Sequence, residues 1–137
     1  MHAKADPLVI SLPIADRPRS MEFYRDVFGF EVIGEPAEDG VPEPLQFKLN
    51  EGTLLMLIPS GGFGWVLAGR EVAAPGVNEC LLGLSFSEER EVTELAERIE
   101  RAGGTVVVEP RQQPWGFTAV CADLDGHAWN IAVTPSA

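Results

Sequence analysis

A pattern that occurs twice at one fixed spacing constrains the fold of this chain more than any other feature of its sequence. Gly29 and Gly103 each follow an apolar stripe of helical spacing. Gly52 and Gly126 each stand between two strand-like runs, and they are as far apart in the sequence as Gly29 and Gly103 are. We call this separation the repeat spacing. It also separates three further pairs, namely Ser11 and Ser85, Val32 and Val106, and Glu35-Pro36 and Glu109-Pro110. Each match is weak alone, but they fall at the same structural positions in both halves, so they indicate a tandem structural duplication.

Hydrophobic periodicity assigns the order β-α-β-β-β to each half. The first half is predicted to contain a strand at 8–14, a helix capped by Asp16 and ended by Gly29, a strand at 30–33, a loop at 37–44, and hairpin strands at 45–49 and 54–58. The second half is predicted to contain a strand at 81–87, a helix with the stripe Val92, Leu95, Ala96 and Ile99, a strand at 105–108 stopped by Glu109-Pro110, and a hairpin at 114–133 turning at Asp125-Gly126. We therefore predict one domain, with repeat one at 7–59, a linker at 60–79 and repeat two at 80–134.

The linker is rich in Gly and Pro, yet it contains Phe63 and Trp65. Two large aromatic residues are more than a spacer needs. One interpretation is that they pack on the core or on a second subunit, and the other is that they form a lid over a ligand. The sequence leaves both interpretations open.

Charge and composition exclude several classes of function. The net charge is −11, from 21 acidic and 10 basic residues, which argues against binding to nucleic acid. Cys80 and Cys121 lack the spacing of a metal site or a disulfide framework, so we predict a reducing cytoplasmic location. The polar residues at 1–6 do not resemble a signal peptide, and no apolar run reaches membrane length, so we expect no membrane partner.

Several motifs resemble one known family, the vicinal oxygen chelate superfamily, also called the glyoxalase/bleomycin-resistance/dioxygenase family. They are the segment from Ile14-Ala15-Asp16 to Ser20, Phe23-Tyr24-Arg25-Asp26, Phe28-Gly29-Phe30-Glu31-Val32, Ala102-Gly103-Gly104 with Pro110, Pro114-Trp115-Gly116, and Asp123-Leu124-Asp125-Gly126-His127-Ala128-Trp129-Asn130. The resemblance covers nearly the whole chain except its first residues and the linker. It implies an α+β fold in which two tandem βαβββ repeats form cupped mixed sheets around a cavity, with the helices outside.

Strand alternation then sorts the side chains of each sheet into two sets. The set predicted to face the helices is Ile10, Leu12, Leu55, Leu57, Leu84, Phe86, Trp129 and Ile131. The set predicted to face the cavity is Val9, Ser11, Leu54, Met56, Ile58, Ser85, Ala128, Asn130 and Ala132.

Metal-dependent relatives hold a divalent ion with His, Gln or Glu side chains from the first and last strands of each repeat. The resemblance places these ligands at Val9, Met56, Leu82 and Asn130. The position at Leu82 is defined to within one residue, so it includes Leu81 and Gly83. Val and Leu have no donor atom, Met offers a soft thioether and Asn a neutral carbonyl, so this set does not suit a hard cation. We therefore predict no metal and no cofactor.

The predicted ligand site is an apolar cavity with a few polar points. Its expected contacts are Ser11, Met56, Ser85 and Asn130, with a rim of Phe63, Trp65, Trp115 and Phe117, and Gln46 or Lys48 adds a further polar group. Trp115 fits a purely structural role in its loop equally well. The histidines His2 and His127, and Cys121, are interpreted as structural or surface residues because no activating partner can be assigned to them.

These observations favour a metal-independent protein that binds an aromatic or antibiotic-like small molecule. The acidic surface would favour a cationic ligand through long-range attraction. The alternative is an enzyme of the same family, a glyoxalase-like lyase, an isomerase or a dioxygenase, with a non-standard site, and a domain kept for protein interaction is a third interpretation. We expect a homodimer, with the apolar rings of the linker at the interface.

Overall fold

The computed structural model describes residues 6–134, so the predicted role of His2 lies outside the described residues. The chain forms two compact units, one extending to Val72 and the other beginning at Ala73. Each unit contains one four-stranded mixed sheet. The predicted α+β architecture of two βαβββ repeats is therefore confirmed. Within residues 6–134, no helix is both long and apolar enough to cross a membrane.

The first unit is built around a sheet with the strand order β1-β4-β3-β2, in which β1 and β4 are parallel and the other pairs are antiparallel. Its elements are β1 (Leu8–Ile14), α1 (Arg17–Glu22), a π-helical segment (Phe23–Val27), β2 (Glu31–Ile33), β3 (Leu45–Asn50), β4 (Thr53–Pro59) and α2 (Ser60–Val66).

The second unit repeats this topology, with the strand order β5-β8-β7-β6 and a parallel pair formed by β5 and β8. Its elements are β5 (Leu82–Phe86), α3 (Glu89–Arg101), β6 (Thr105–Gln113), β7 (Gly116–Ala122) and β8 (Ala128–Val133).

Local capping explains where the helices begin. The side chain of Asp16 accepts a hydrogen bond of 2.9 Å from the backbone N–H of Arg19, which confirms its predicted role as N-cap. Glu88 and Glu91 form a capping box at the start of α3. Gly29 follows the π-helical segment with φ +75°, a left-handed conformation that glycine adopts without a steric penalty.

The core of each unit lies between one face of its sheet and its helices. In the first unit, Leu55, Leu57 and Phe47 are at most 1% exposed. In the second, the predicted helical stripe of α3 is buried together with Cys121, Trp129 and Ile131, which α3 covers from one side of the sheet. Burial of these large apolar side chains is the main term that stabilises both units.

One strand boundary was predicted wrongly. Strand β6 does not stop at Glu109-Pro110 but continues to Gln113. Pro110 is tolerated there because β6 is an edge strand and its pairing with β7 shifts register between Val108 and Arg111, which marks a bulge. The glycine-rich start of the predicted linker forms the short helix α2, in which the Ser60 hydroxyl donates to the carbonyl of Ile14 at 3.2 Å.

The repeat spacing holds for the last three strands of each unit and changes for the first. Phe47 pairs with Leu55 as Cys121 pairs with Trp129, which preserves the repeat spacing. In the parallel pairs, however, Ser11 lies opposite Met56, whereas Gly83 lies opposite Asn130. The structural equivalent of Ser11 is therefore Gly83 and not Ser85, because the helical segment is longer in the second repeat.

Candidate functional site

We define the open face of each sheet as the face opposite its buried core. On the open face of the first unit, Met56 lies between Ser11 on β1 and Gln46 on β3, and all three are half-buried. Within the described part of the chain, the side chains of Ser11 and Gln46 form no hydrogen bond. This face therefore presents one flexible thioether flanked by two polar groups that are available to a ligand.

On the open face of the second unit, Asn130 of β8 lies between Gly83 of β5 and Val120 of β7. Asn130 is half-buried, and the glycine at its side leaves its amide uncovered on that flank. In the neighbouring row, one pleat further along the strands, Ser85 lies opposite Ala132 and Thr118 lies opposite Arg111. The structure thus brings Ser85 and Asn130, both predicted site residues, to one face.

Arg111 and Gln113 form a polar pair at the β6 edge of this open face. With the Gln113 amide oriented so that its oxygen faces the guanidinium, that oxygen accepts hydrogen bonds from Arg111 Nε at 2.9 Å and Nη2 at 3.3 Å. Arg111 is exposed, whereas Thr118, its partner in the register, is only 3% exposed. Sequence reasoning missed Arg111, Gln113 and Thr118 as site residues because it ended β6 before Pro110, and a proline in an edge strand was the signal that could have extended it.

The residues at the predicted metal positions do not fit a divalent cation. Val9 pairs with Leu54, and the residue opposite Met56 is Ser11. Leu82 pairs with Trp129 on the core side of its sheet. The residue opposite Asn130 is Gly83, which is within one residue of the predicted position. Since glycine, valine and leucine side chains carry no donor, these positions do not provide the several oxygen or imidazole ligands that a hard cation requires. Within residues 6–134, no group of three or more His, Cys, Asp or Glu side chains is placed to hold a metal.

The four predicted rim aromatics occupy different environments. Trp65 on α2 is 83% exposed and Phe63 is half-buried. Trp115, in the short turn between β6 and β7, is 69% exposed. Phe117 pairs with Gln112 and so points to the side of the sheet opposite Thr118 and Asn130. The exposed surfaces of Trp65 and Trp115 are therefore available to a partner, but Phe117 does not share the open face.

The second part of the linker is packed against the turn between β7 and β8. Asn78 donates a hydrogen bond of 3.1 Å to the carbonyl of Gly126. A Cβ on Gly126 would lie 2.5 Å from the backbone nitrogen of Gly76, so the two segments approach each other as closely as glycine allows. The turn itself is held by Asp123, whose side chain accepts from the backbone N–H groups of Asp125 and His127.

The buried cysteine lacks the chemistry of a nucleophile. Burial, with a smaller contribution from Glu109 and Glu100, raises the pKa of the Cys121 thiol to about 11. The thiol is therefore protonated at neutral pH, and only the thiolate is reactive. Cys80 is exposed.

Comparisons with known proteins identify the family. A family model described as the Glyoxalase/Bleomycin resistance protein/Dioxygenase superfamily matches residues 7–131. No curated protein matches the sequence.

Solved structures with a similar fold come from several bacteria. A glyoxalase-related enzyme from Fulvimarina pelagi is 28% identical, with a TM-score of 0.81 over 97% of this chain and 90% of that one. A hypothetical protein from S. aureus is 25% identical, with a TM-score of 0.79 over 98% and 96%. An antibiotic-binding protein from Streptomyces sp. CB03234 is 22% identical, with a TM-score of 0.66 over 98% and 100%, a likeness that concerns the fold alone. Because the family model matches nearly the whole chain, this protein belongs to the glyoxalase/bleomycin resistance protein/dioxygenase superfamily.

Proposed function

We propose that this protein binds an aromatic, antibiotic-like small molecule on the open faces of its sheets without the help of a metal ion. The observation that carries the proposal is the composition of those faces. Where metal-dependent relatives have ligands, this chain has Met56, Asn130, Gly83 and either Val9 or Ser11. Such a set does not hold a hard cation, but it does suit a ligand that needs apolar contact and a few hydrogen bonds.

The mixture of groups on the open face of the first unit supports this proposal. Met56 and Leu54 provide apolar surface, and the Met side chain adapts its shape to irregular or aromatic partners. Ser11 and Gln46 provide polar groups whose hydrogen-bonding capacity is not used within the described part of the chain. Small-molecule sites typically combine apolar walls with a small number of such polar points.

The likeness to an antibiotic-binding protein from Streptomyces sp. CB03234 supports the proposed ligand class at the level of the fold. The exposed indole rings of Trp65 and Trp115 are also suited to stacking on a planar ligand.

The test is a thermal-shift screen of chelator-treated protein against a library of aromatic natural products, with calorimetry on each compound that raises the melting temperature. The discriminating variant is Met56→Ala, and the matched control is Met21→Ala, since Met21 is also half-buried but lies on α1. Loss of the Met56 side chain from the ligand contact should weaken binding roughly tenfold or more, as removal of apolar contact in a pocket does. The control should change the affinity by less than about threefold. No saturable binding across the library, or equal effects of both variants, would contradict the proposal.

A second candidate function is an enzyme of the same superfamily with a non-standard site. The observation that favours it is the likeness to a glyoxalase-related enzyme from Fulvimarina pelagi. Elemental analysis of the purified protein, coupled to assays of lyase, isomerase and dioxygenase activity, tests it. Stoichiometric metal with turnover would support the enzyme and overturn the assignment of the metal positions.

We also propose that the protein acts in the cytoplasm as a homodimer. Trp65 and Val66 support this assembly, because they are 83% and 65% exposed on adjacent positions of α2. Large exposed apolar side chains of this kind are typical of surfaces that contact a partner.

A further inference from the structure

We propose that the open face of the second unit recognises an acidic group of the ligand, and that Arg111 is the residue that binds it. The proposal rests on the proposed function and specifies the ligand class as aromatic compounds that carry a carboxylate. Guanidinium binds carboxylate through two parallel hydrogen bonds, a geometry that gives both affinity and orientation.

The bulge in β6 is the reason that Arg111 reaches the open face. Val108 lies opposite Val120, on the same side of the sheet as Asn130. Simple alternation from Val108 would place Pro110 on the open face and turn Arg111 toward the core side. The register shift between Val108 and Arg111 adds one residue, so that Arg111 lies opposite Thr118 instead. Bulges commonly redirect a side chain in this way beside a functional site.

Gln113 holds the guanidinium in a defined orientation. Its amide oxygen accepts from Nε and Nη2 of Arg111, at 2.9 and 3.3 Å, and so occupies one edge of the planar group. Of the five N–H donors of an arginine, three remain, on Nη1 and the outer side of Nη2. This second edge has the fork geometry that a carboxylate requires, and it stays unblocked by Gln113.

Among the described residues, Arg111 has no carboxylate partner, unlike several other basic side chains. Carboxylates lie within 3.2 Å of the charged groups of Arg17, Arg25, Lys48 and Arg90. Within residues 6–134, Arg111 forms no ion pair, and its polar contact is to the neutral amide of Gln113. A cation presented by a neutral partner on a sheet face is available for an anion from outside the chain.

Two further groups can complete the contact with an acid. The side chains of Thr118 and Asn130 form no hydrogen bond within the described part of the chain. Thr118 is on the strand next to Arg111, about 4.8 Å away in strand spacing, and Asn130 is diagonal to Thr118 at roughly 7–8 Å. Thr118 is only 3% exposed, so the half-buried Asn130 is the more accessible of the two.

Long-range attraction by the net charge and direct contact with Arg111 favour ligands of opposite charge. The net charge of −11 predicts attraction of cations, but this field is largely screened beyond about 8 Å at physiological ionic strength. A direct, oriented contact with one guanidinium acts at hydrogen-bond distance and is screened far less. The preference among ligands should therefore depend on Arg111, and the protein should bind a carboxylate more tightly than a cationic ligand.

The experiment measures binding of three matched probe series by calorimetry at about 150 mM salt, close to physiological ionic strength. The probes are benzoate, 2-naphthoate and anthracene-2-carboxylate, the corresponding primary amides, and the corresponding arylmethylamines. The variants are Arg111→Gln and Gln113→Glu, and the control is Arg101→Gln, which removes an equal charge from an exposed position at the end of α3. Unfolding monitored by circular dichroism verifies that each variant is folded.

The wild type should bind the carboxylate of a given ring system roughly tenfold or more tightly than the amide or the amine, as expected for a charge-assisted hydrogen bond. Arg111→Gln should remove this preference, so that the carboxylate and the amide of a given ring system bind within about threefold of each other. Gln113→Glu should also remove it, because the guanidinium then acquires an internal counter-ion. Arg101→Gln should preserve it.

Equal binding of carboxylate, amide and amine, or a preference that survives Arg111→Gln, would overturn the assignment of Arg111 while leaving the proposed function intact. Failure of all three series to bind wild type would overturn the proposed function together with this inference.

Discussion

Replacement of Gly126 by alanine tests the packing of the linker against the turn between β7 and β8. Gly126 has φ +86°, and an added Cβ would lie 2.5 Å from the nitrogen and 3.2 Å from the Cα of Gly76. Both neighbours are backbone atoms, so the clash is relieved only by movement of the linker segment. That movement would also break the 3.1 Å hydrogen bond from Asn78 to the carbonyl of Gly126.

The expected loss of stability has two parts. A left-handed conformation costs alanine about 1–2 kcal/mol. Overpacking against the backbone of Gly76 costs a further ~1–3 kcal/mol. Gly40→Ala is the matched control, because Gly40 has φ +83° but no heavy atom within 4 Å of an added Cβ. The control should therefore lose about 1–2 kcal/mol, and Gly126→Ala roughly 2–5 kcal/mol in total.

Urea denaturation followed by circular dichroism measures both free energies of unfolding. A double-mutant cycle with Asn78→Ala adds a second criterion, because a displaced linker no longer makes the Asn78 hydrogen bond. Asn78→Ala should cost about 0.5–1.5 kcal/mol in the wild type and nearly nothing in the Gly126→Ala background. Equal losses for Gly126→Ala and Gly40→Ala would contradict this prediction, since they would show that the linker does not pack against the turn.

Three further predictions concern thiols, pH and assembly. At pH 8 a thiol reagent should label Cys80, which is exposed, and leave Cys121 unlabelled until the protein is denatured. The reason is that burial raises the pKa of the Cys121 thiol to about 11. Rapid labelling of both thiols in the native protein would contradict this prediction. The hydrogen bond from Arg17 holds the pKa of Asp39 below its ordinary value, so Asp39→Asn should reduce the free energy of unfolding at neutral pH. The difference from wild type should disappear as the pH falls through the lowered pKa of Asp39. A difference that persists unchanged at low pH would contradict the ionic explanation. Light scattering after size exclusion should give the mass of a dimer for the wild type, and a mass closer to that of a monomer for Trp65→Ser. A wild-type mass near 14.8 kDa would contradict the dimer proposal.

The fold was predictable from the sequence because local signals and the internal repeat agreed. Asp16 and the stripe of α3 followed from capping and periodicity, and both are confirmed. The antiparallel strands keep the repeat spacing because each hairpin sets its own register through its turn. Local chemistry was sufficient for these elements.

The register of the first strand could not be predicted in the same way. A parallel pair has no hairpin turn to define its register, and the helical connection differs in length between the two repeats. Ser11 and Ser85 are separated by the repeat spacing, yet the equivalent of Ser11 in the sheet is Gly83. The sequence spacing alone therefore indicated, wrongly, that these two serines are at equivalent positions of the two sheets.

The polar part of the candidate site was missed for a related reason. Pro110 was interpreted as the end of a strand, whereas it lies within a bulge of an edge strand, where a missing N–H is tolerated. Arg111 consequently had no predicted face. Whether a proline ends or bends a strand depends on whether a neighbouring strand needs its N–H, and that neighbour is defined by tertiary structure.

The affinity for an aromatic ligand, measured before and after exhaustive chelation with metal content determined on the same samples, tests metal-independent binding most directly. We predict the same dissociation constant in both samples, within about twofold, and metal far below one equivalent per chain. Stoichiometric metal in the untreated protein, together with loss of binding on chelation and its recovery when the metal is restored, would contradict it.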